Sequence, residues 1–167
     1  VTLVEDSSAV VVLTATDADG DALSYAVSAG PAHGTLSGSA PNLTYTPDPN
    51  YFGPDGFTFT ANDGLATSAS ATVSLTVTPV NDPAQANDDT AATAAYVPVL
   101  IAVLGSDADV DGDVLSVSSA TPGANGSTAV QAGGGILYTP NPGFTGTDNF
   151  SYVVDDGNGG TDTAAVT

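Results

Sequence analysis

Apolar residues along the chain alternate with small polar ones in short runs, and turn-forming residues separate the runs. Leu23, Tyr25 and Val27 fall on one side of an extended segment, as do Phe57, Phe59 and Ala61, and then Ala71, Val73, Leu75 and Val77. A period of two is the mark of a half-buried strand. Shorter runs at 1–4, 10–15, 34–37 and 43–46 raise the count to seven. Proline is expected at strand ends or in loops, where no ladder donor is lost. The pattern predicts a seven-stranded antiparallel β-sandwich.

The pattern then recurs. Leu43-Thr44-Tyr45-Thr46-Pro47-Asp48-Pro49-Asn50-Tyr51-Phe52-Gly53 returns as Leu137-Tyr138-Thr139-Pro140-Asn141-Pro142-Gly143-Phe144-Thr145-Gly146. Tyr45 maps to Tyr138 and Asp63 to Asp156 with one spacing of 93 residues, while Asp17 maps to Asp109 with one residue fewer. A period this long suits tandem sandwich domains rather than the turns of a solenoid. The expected division is 1–83 and 84–167, with Pro79-Val80-Asn81-Asp82-Pro83 as a short extended linker stiffened by Pro83. Thr167 aligns with Ser74, so the second sandwich is expected to be truncated in its last strand. That reads as an excerpt from a longer array, or as a strand supplied by a neighbouring chain.

Charge changes the picture most. The 167 residues contain nineteen Asp and Glu and no Lys or Arg, for a net charge of −19. Nucleic acid is disfavoured as a partner because nothing here can neutralise a phosphate, and an anionic membrane surface is disfavoured for the same reason. No apolar run is long enough to span a bilayer, so no membrane insertion is expected. Without Cys there are no disulfides and no thiolate metal sites.

The acids cluster in Asp17-Ala18-Asp19-Gly20-Asp21 and in Asp107-Ala108-Asp109-Val110-Asp111-Gly112-Asp113. Carboxylates this close repel by roughly 1–4 kcal/mol per near pair, so a cation from solution is expected among them. Calcium takes six to eight oxygen ligands in irregular geometry, whereas magnesium demands a stricter octahedron. The second cluster matches the start of an EF-hand loop, but position twelve would be Ser118 instead of Glu, and Val114-Leu115-Ser116-Val117 reads as strand. A calcium loop within a β-domain fits better. The competing reading is that these are solvated turn aspartates.

These residues also carry a resemblance. Leu13-Thr14-Ala15-Thr16-Asp17-Ala18-Asp19-Gly20-Asp21, Ala61-Asn62-Asp63-Gly64 and Val77-Thr78-Pro79-Val80-Asn81-Asp82-Pro83 resemble conserved segments of cadherin repeats. Asn87-Asp88-Asp89-Thr90 and Asp155-Asp156-Gly157-Asn158-Gly159-Gly160-Thr161-Asp162 resemble the bacterial Ig-like variety. The chain is similar to cadherin-like and bacterial Ig-like tandem repeats of large calcium-dependent bacterial surface adhesins. The resemblance implies Ca2+ at junctions between domains. The central junction would use Glu5 or Asp6, then Asn81, Asp82, Asp109, Asp111 and Asp156. Asp17, Asp19 and Asp63 would face a preceding domain, and Asp88, Asp89, Asp107 and Asp155 would be extra ligands. Asp21 and Asp113 complete the two acidic loops. The chain departs from animal cadherins in lacking their acidic-Arg-Glu segment and in having Thr78 for the first linker Asp.

Other chemistry is thin. His33 has no second His or nucleophile beside it in the sequence, and Asn125 takes its place in the second copy. Tyr45, Tyr51, Phe52, Phe57, Tyr138, Phe144 and Phe150 recur in both copies, as core residues should, rather than as a sugar platform. Gly133-Gly134-Gly135 lacks the following helix and basic partner of a phosphate cradle. Together these point to a non-enzymatic spacer from an extracellular, cell-surface bacterial adhesin or filament, rigidified by Ca2+. Its partners would be adjacent repeats of the same polypeptide and neighbouring copies in a filament. The alternative is a module that binds a glycan or a surface.

Overall fold

A computed structural model describes all of residues 1–167. The chain is all-β and divides into two compact units, Val1–Val80 and Asn81–Thr167. In the first, strands β1 (Thr2–Val4), β2 (Ala9–Val12), β3 (Ser24–Ala29), β4 (Gly34–Ser39), β5 (Asn42–Pro47), β6 (Gly53–Asn62) and β7 (Ala71–Thr78) form two sheets. One has the order β1-β7-β6-β3, the other β2-β5-β4. The core between them holds Leu3, Val11, Leu13, Tyr45, Phe57 and Leu75, with Tyr45 fully enclosed.

The second unit contains β8 (Val99–Ile101), a 3₁₀ turn at Val103–Gly105, then β9 (Ser116–Ala120), β10 (Gly126–Val130), β11 (Ile136–Pro140), β12 (Phe150–Asp155) and β13 (Thr161–Val166). Its sheets run β10-β11-β8 and β13-β12-β9. A separate core gathers Ile101, Val103, Ile136, Tyr138, Tyr152 and Val154. The registers repeat: Phe57 faces Val73 as Phe150 faces Val166, and Gly34 faces Pro47 as Gly126 faces Pro140.

Several expectations are corrected. The sandwich is not wholly antiparallel, because β1 pairs with β7 in parallel, Thr2 opposite Thr76. The second unit has six strands, and its counterpart of β1 is a single parallel bridge between Asp89 and Val166. Val27 is 39% exposed although it alternates with Tyr25 and pairs with buried Phe59; it lies on β3, the edge strand of its sheet. Pro54 lies within β6, at its second position. Asn81–Pro83 pack with the second unit instead of closing the first.

A matching glycine in each unit is set by packing against the core tyrosine. A Cβ on Gly34 would lie 2.5 Å from the Thr46 carbonyl oxygen and 2.6 Å from Cε2 of Tyr45, and one on Gly126 would strike the Tyr138 ring. The backbone on β5 cannot yield without breaking the ladder. Gly34→Ala should therefore destabilise the first unit by about 2 kcal/mol in urea denaturation, the usual scale of overpacking. An unchanged midpoint would show that the hairpin gives way freely.

Candidate metal centre

The loop between Val103 and β9 wraps around one carboxylate. Oδ1 of Asp109 accepts the backbone N–H groups of Asp111 (2.9 Å) and Asp113 (3.2 Å). Two residues of the turn are thus tied to the side chain that begins it, a common use of Asp in turns. The other oxygen, Asp109 Oδ2, is buried without a hydrogen-bond partner. Carboxylate oxygens of Asp109, Asp113 and Asp156 lie within 4.8 Å of one another. Asp156 comes from the turn after β12 and is only 3% exposed.

Asp156 is held by donors. Asn81 Nδ2 reaches its Oδ2 at 2.8 Å, while Oδ1 takes the N–H groups of Asn158 (2.7 Å) and Gly160 (2.9 Å). The Asn81 amide, aided by those N–H groups, outweighs burial and keeps the carboxyl below the usual carboxylate range. Asp111 Oδ2 accepts the N–H of Asp82 at 2.8 Å. The start of the second unit is thereby pinned at two points, to the acidic loop at Asp111 and to the turn after β12 at Asp156. Asn158 Nδ2 donates to Asp113 at 2.7 Å.

The remaining predicted residues take separate positions. In the first unit Asp17 Oδ1 accepts the N–H groups of Asp19 (2.9 Å) and Asp21 (3.0 Å), repeating the Asp109 loop. Asp63 turns to Leu65 and Ala66, whose N–H groups hold its carboxyl below the usual range. These four do not gather as the trio of the second unit does. Glu5 is 3% exposed, its Oε1 accepts the Val80 N–H at 2.6 Å, and its Oε2 is buried without a partner. Asp6, at positive φ, accepts the Asn50 N–H. Asp88 receives the Ala165 N–H, and Asp155 that of Gly157. Asp89 and Asp107 both face the Tyr152 hydroxyl, at 3.0 and 3.2 Å.

Three acids with clear roles were absent from the candidate set. Asp55 and Asp148 accept the hydroxyls of Tyr45 (2.8 Å) and Tyr138 (2.7 Å), and Asp162 accepts the Ala86 N–H. The signal for the first two was their recurrence at the spacing of the repeat. His33 stacks on Tyr51 with ring centroids 4.2 Å apart, and its N–H bonds Asp55. Asn125 makes the same backbone bond to Asp148.

The trio, the orphaned Asp109 oxygen and the all-oxygen donor set fit a hard cation such as calcium. Two tandem sandwiches of this kind define a class of Ig-like repeat proteins. Residues 1–76 and 81–167 both match the bacterial Ig domain, and the chain belongs to that family. Human CDH23 repeats EC21-23 share the fold at a TM-score of 0.53 and 12% identity, over 93% of this chain and 65% of that one. Human mucin-like protocadherin EC1-2 aligns at 0.46 and 16% identity, covering 99% and 91%. The endo-fucoidan hydrolase MfFcnA4 from glycoside hydrolase family 107 aligns at 0.39 and 20% identity, covering 99% of this chain. The chain spans only 26% of that hydrolase. No curated protein matches the sequence.

Proposed function

We propose that the chain is a pair of non-enzymatic spacer repeats from an extracellular bacterial adhesin or surface filament, stiffened by calcium. The observation that carries this reading is the buried, partnerless Asp109 Oδ2 beside Asp113 and Asp156, in a chain with no Lys or Arg. Asp109, Asp113 and Asp156 would hold the ion, which would supply the missing positive charge. Asn81 and Asp82 are bonded to Asp156 and Asp111. An ion that fixes the acidic loop therefore also fixes the segment following Val80. Adjacent repeats of the same polypeptide would be its partners, and extracellular modules of this kind bind calcium at roughly 10⁻⁴–10⁻³ M. No helix is long and apolar enough to cross a membrane.

The test is thermal melting with small-angle scattering in millimolar calcium and again in chelator. Calcium should raise the melting temperature and narrow the distribution of particle lengths. Identical curves and identical scattering in the two buffers would sink the reading.

A further inference from the structure

Two Asn-Gly pairs occur in the chain, Asn125-Gly126 and Asn158-Gly159, and the fold holds them differently. Asn158 stands exposed in the bend between β12 and β13, flanked by Gly157 and Gly159 at φ 81° and 110°. Nothing lies within 4 Å of the place where a Cβ on Gly159 would sit. The Asn158 backbone N–H donates to Asp156 at 2.7 Å and its Nδ2 to Asp113 at 2.7 Å. The residue thus rests on two of the three gathered acids.

Asn125 is half-buried and tied at both of its backbone groups. Its N–H donates to Asp148 at 2.9 Å, and its carbonyl accepts the Asn141 N–H at 2.8 Å. Gly126 opens β10 opposite Pro140 and is buried, with the Tyr138 ring against the face where a Cβ would lie. In the first unit the matching bend carries no such pair: at the spacing of the repeat, Leu65 stands in the place of Asn158.

We propose that Asn158 is a site of spontaneous modification, at which the side-chain amide is lost and a fourth carboxylate joins Asp109, Asp113 and Asp156. In an Asn-Gly pair no side chain shields the following backbone nitrogen, and glycine lets the peptide turn freely. The Gly159 nitrogen attacks Cγ of Asn158 and closes a cyclic imide, while the side-chain nitrogen leaves as ammonia with the proton that Gly159 gives up. Water then opens the imide at one carbonyl or the other, leaving aspartate or isoaspartate. A donor to Asp113 becomes an acid beside it, so without a cation like charges repel and the turn is weakened. With calcium the product offers one more anionic ligand, a consequence that rests on the calcium reading above.

The full chain is held in chelator at mildly alkaline pH, sampled over days, digested and mapped by mass. Conversion at Asn158 should run at least about ten times faster than at Asn125, because an exposed bend opens far more readily than a buried strand end. In urea the two rates should converge, since both pairs are then equally free. Equal rates in the folded chain, or no conversion at Asn158, overturn the proposal. Asn158→Asp supplies the product directly. It should melt about 5 °C below the unsubstituted chain in chelator, and gain more than that chain from millimolar calcium. A gain no larger than that of the unsubstituted chain overturns the fourth carboxylate. If neither chain gains anything, the calcium reading fails, and the mass map decides the modification by itself.

Discussion

Asp109→Asn should melt at or above the unsubstituted chain in chelator, and well below it in millimolar calcium. The two halves of this result have different causes. Asparagine keeps the oxygen that accepts from the Asp111 and Asp113 N–H groups, so the turn survives. Without a cation it removes one of three carboxylates whose oxygens lie within 4.8 Å, and it places a donor where Asp109 Oδ2 is buried and partnerless. With calcium present the same change deletes an anionic ligand. A site filled at one hundred times its dissociation constant adds about 2.7 kcal/mol to the folded state. For a domain of this size that increment is about 10–20 °C in Tm. Asp17→Asn is the control, since its loop has the same turn bonds but no gathered trio. Calorimetry of the variants in both buffers decides the matter. If Asp109→Asn shifts equally in chelator and calcium, the carboxylate is only a turn cap.

Much of this arrangement is legible in the sequence, and the rest depends on contacts that periodicity does not encode. Phe57, Phe59 and Ala61 alternate and are all buried, as are Leu75 and Val77 at the end of β7. The parallel direction of β1 is different: three residues, Thr2–Val4, carry no mark of which way their partner runs. The 3₁₀ turn at Val103–Gly105 lies where the second copy has more residues between its buried Val103 and Asp109 than the first has between Leu13 and Asp17. The spacing shows the insertion but not its shape.

For the acids, Asp-x-Asp-Gly-Asp led to Asp109, Asp111 and Asp113, and the Asp-Asp-Gly turn to Asp156. The same reasoning placed Asp88, Asp89, Asp107 and Asp155 with them. In the fold these four bond backbone N–H groups or the Tyr152 hydroxyl. A carboxylate in a turn is as good an acceptor for an amide as for a metal, and residue type alone does not separate the two uses. Asp55 and Asp148 show the converse. They lie outside any acidic run, and only their place in the repeat distinguishes them.

Asp148→Ala should cost the second unit about 3 kcal/mol, a large share of the 5–15 kcal/mol available to a domain. Its carboxylate accepts the Tyr138 hydroxyl and the N–H groups of Asn125 and Asn149 at 2.7–3.1 Å. Tyr138 is buried, and its hydroxyl has no other hydrogen-bond partner. Asp55→Ala should cost less, because the Tyr45 hydroxyl also reaches the His33 carbonyl at 3.1 Å. Tyr138→Phe alone should cost about 1 kcal/mol, since the carboxylate keeps its amide donors. In the double variant the loss should fall short of the sum by about 1 kcal/mol.

The pH dependence has a definite sign. Burial raises the Asp148 carboxyl, but the Tyr138 hydroxyl and the backbone N–H groups outweigh it and hold it below its ordinary 3.8. A depressed carboxyl stabilises the fold above its unfolded value and loses that contribution as pH falls through the folded one. Burial, with Asp148 beside it, pushes Tyr138 from 10.0 up to about 12, so its share is complete below pH 10.0 and lost as pH rises toward about 12. The penalty of Asp148→Ala, measured by urea denaturation in chelator, should therefore be level between about pH 4 and pH 10 and shrink on the acid side. A penalty under 1 kcal/mol at pH 7, or one equal to that of Asp55→Ala, would mean that water replaces the carboxylate at the Tyr138 hydroxyl.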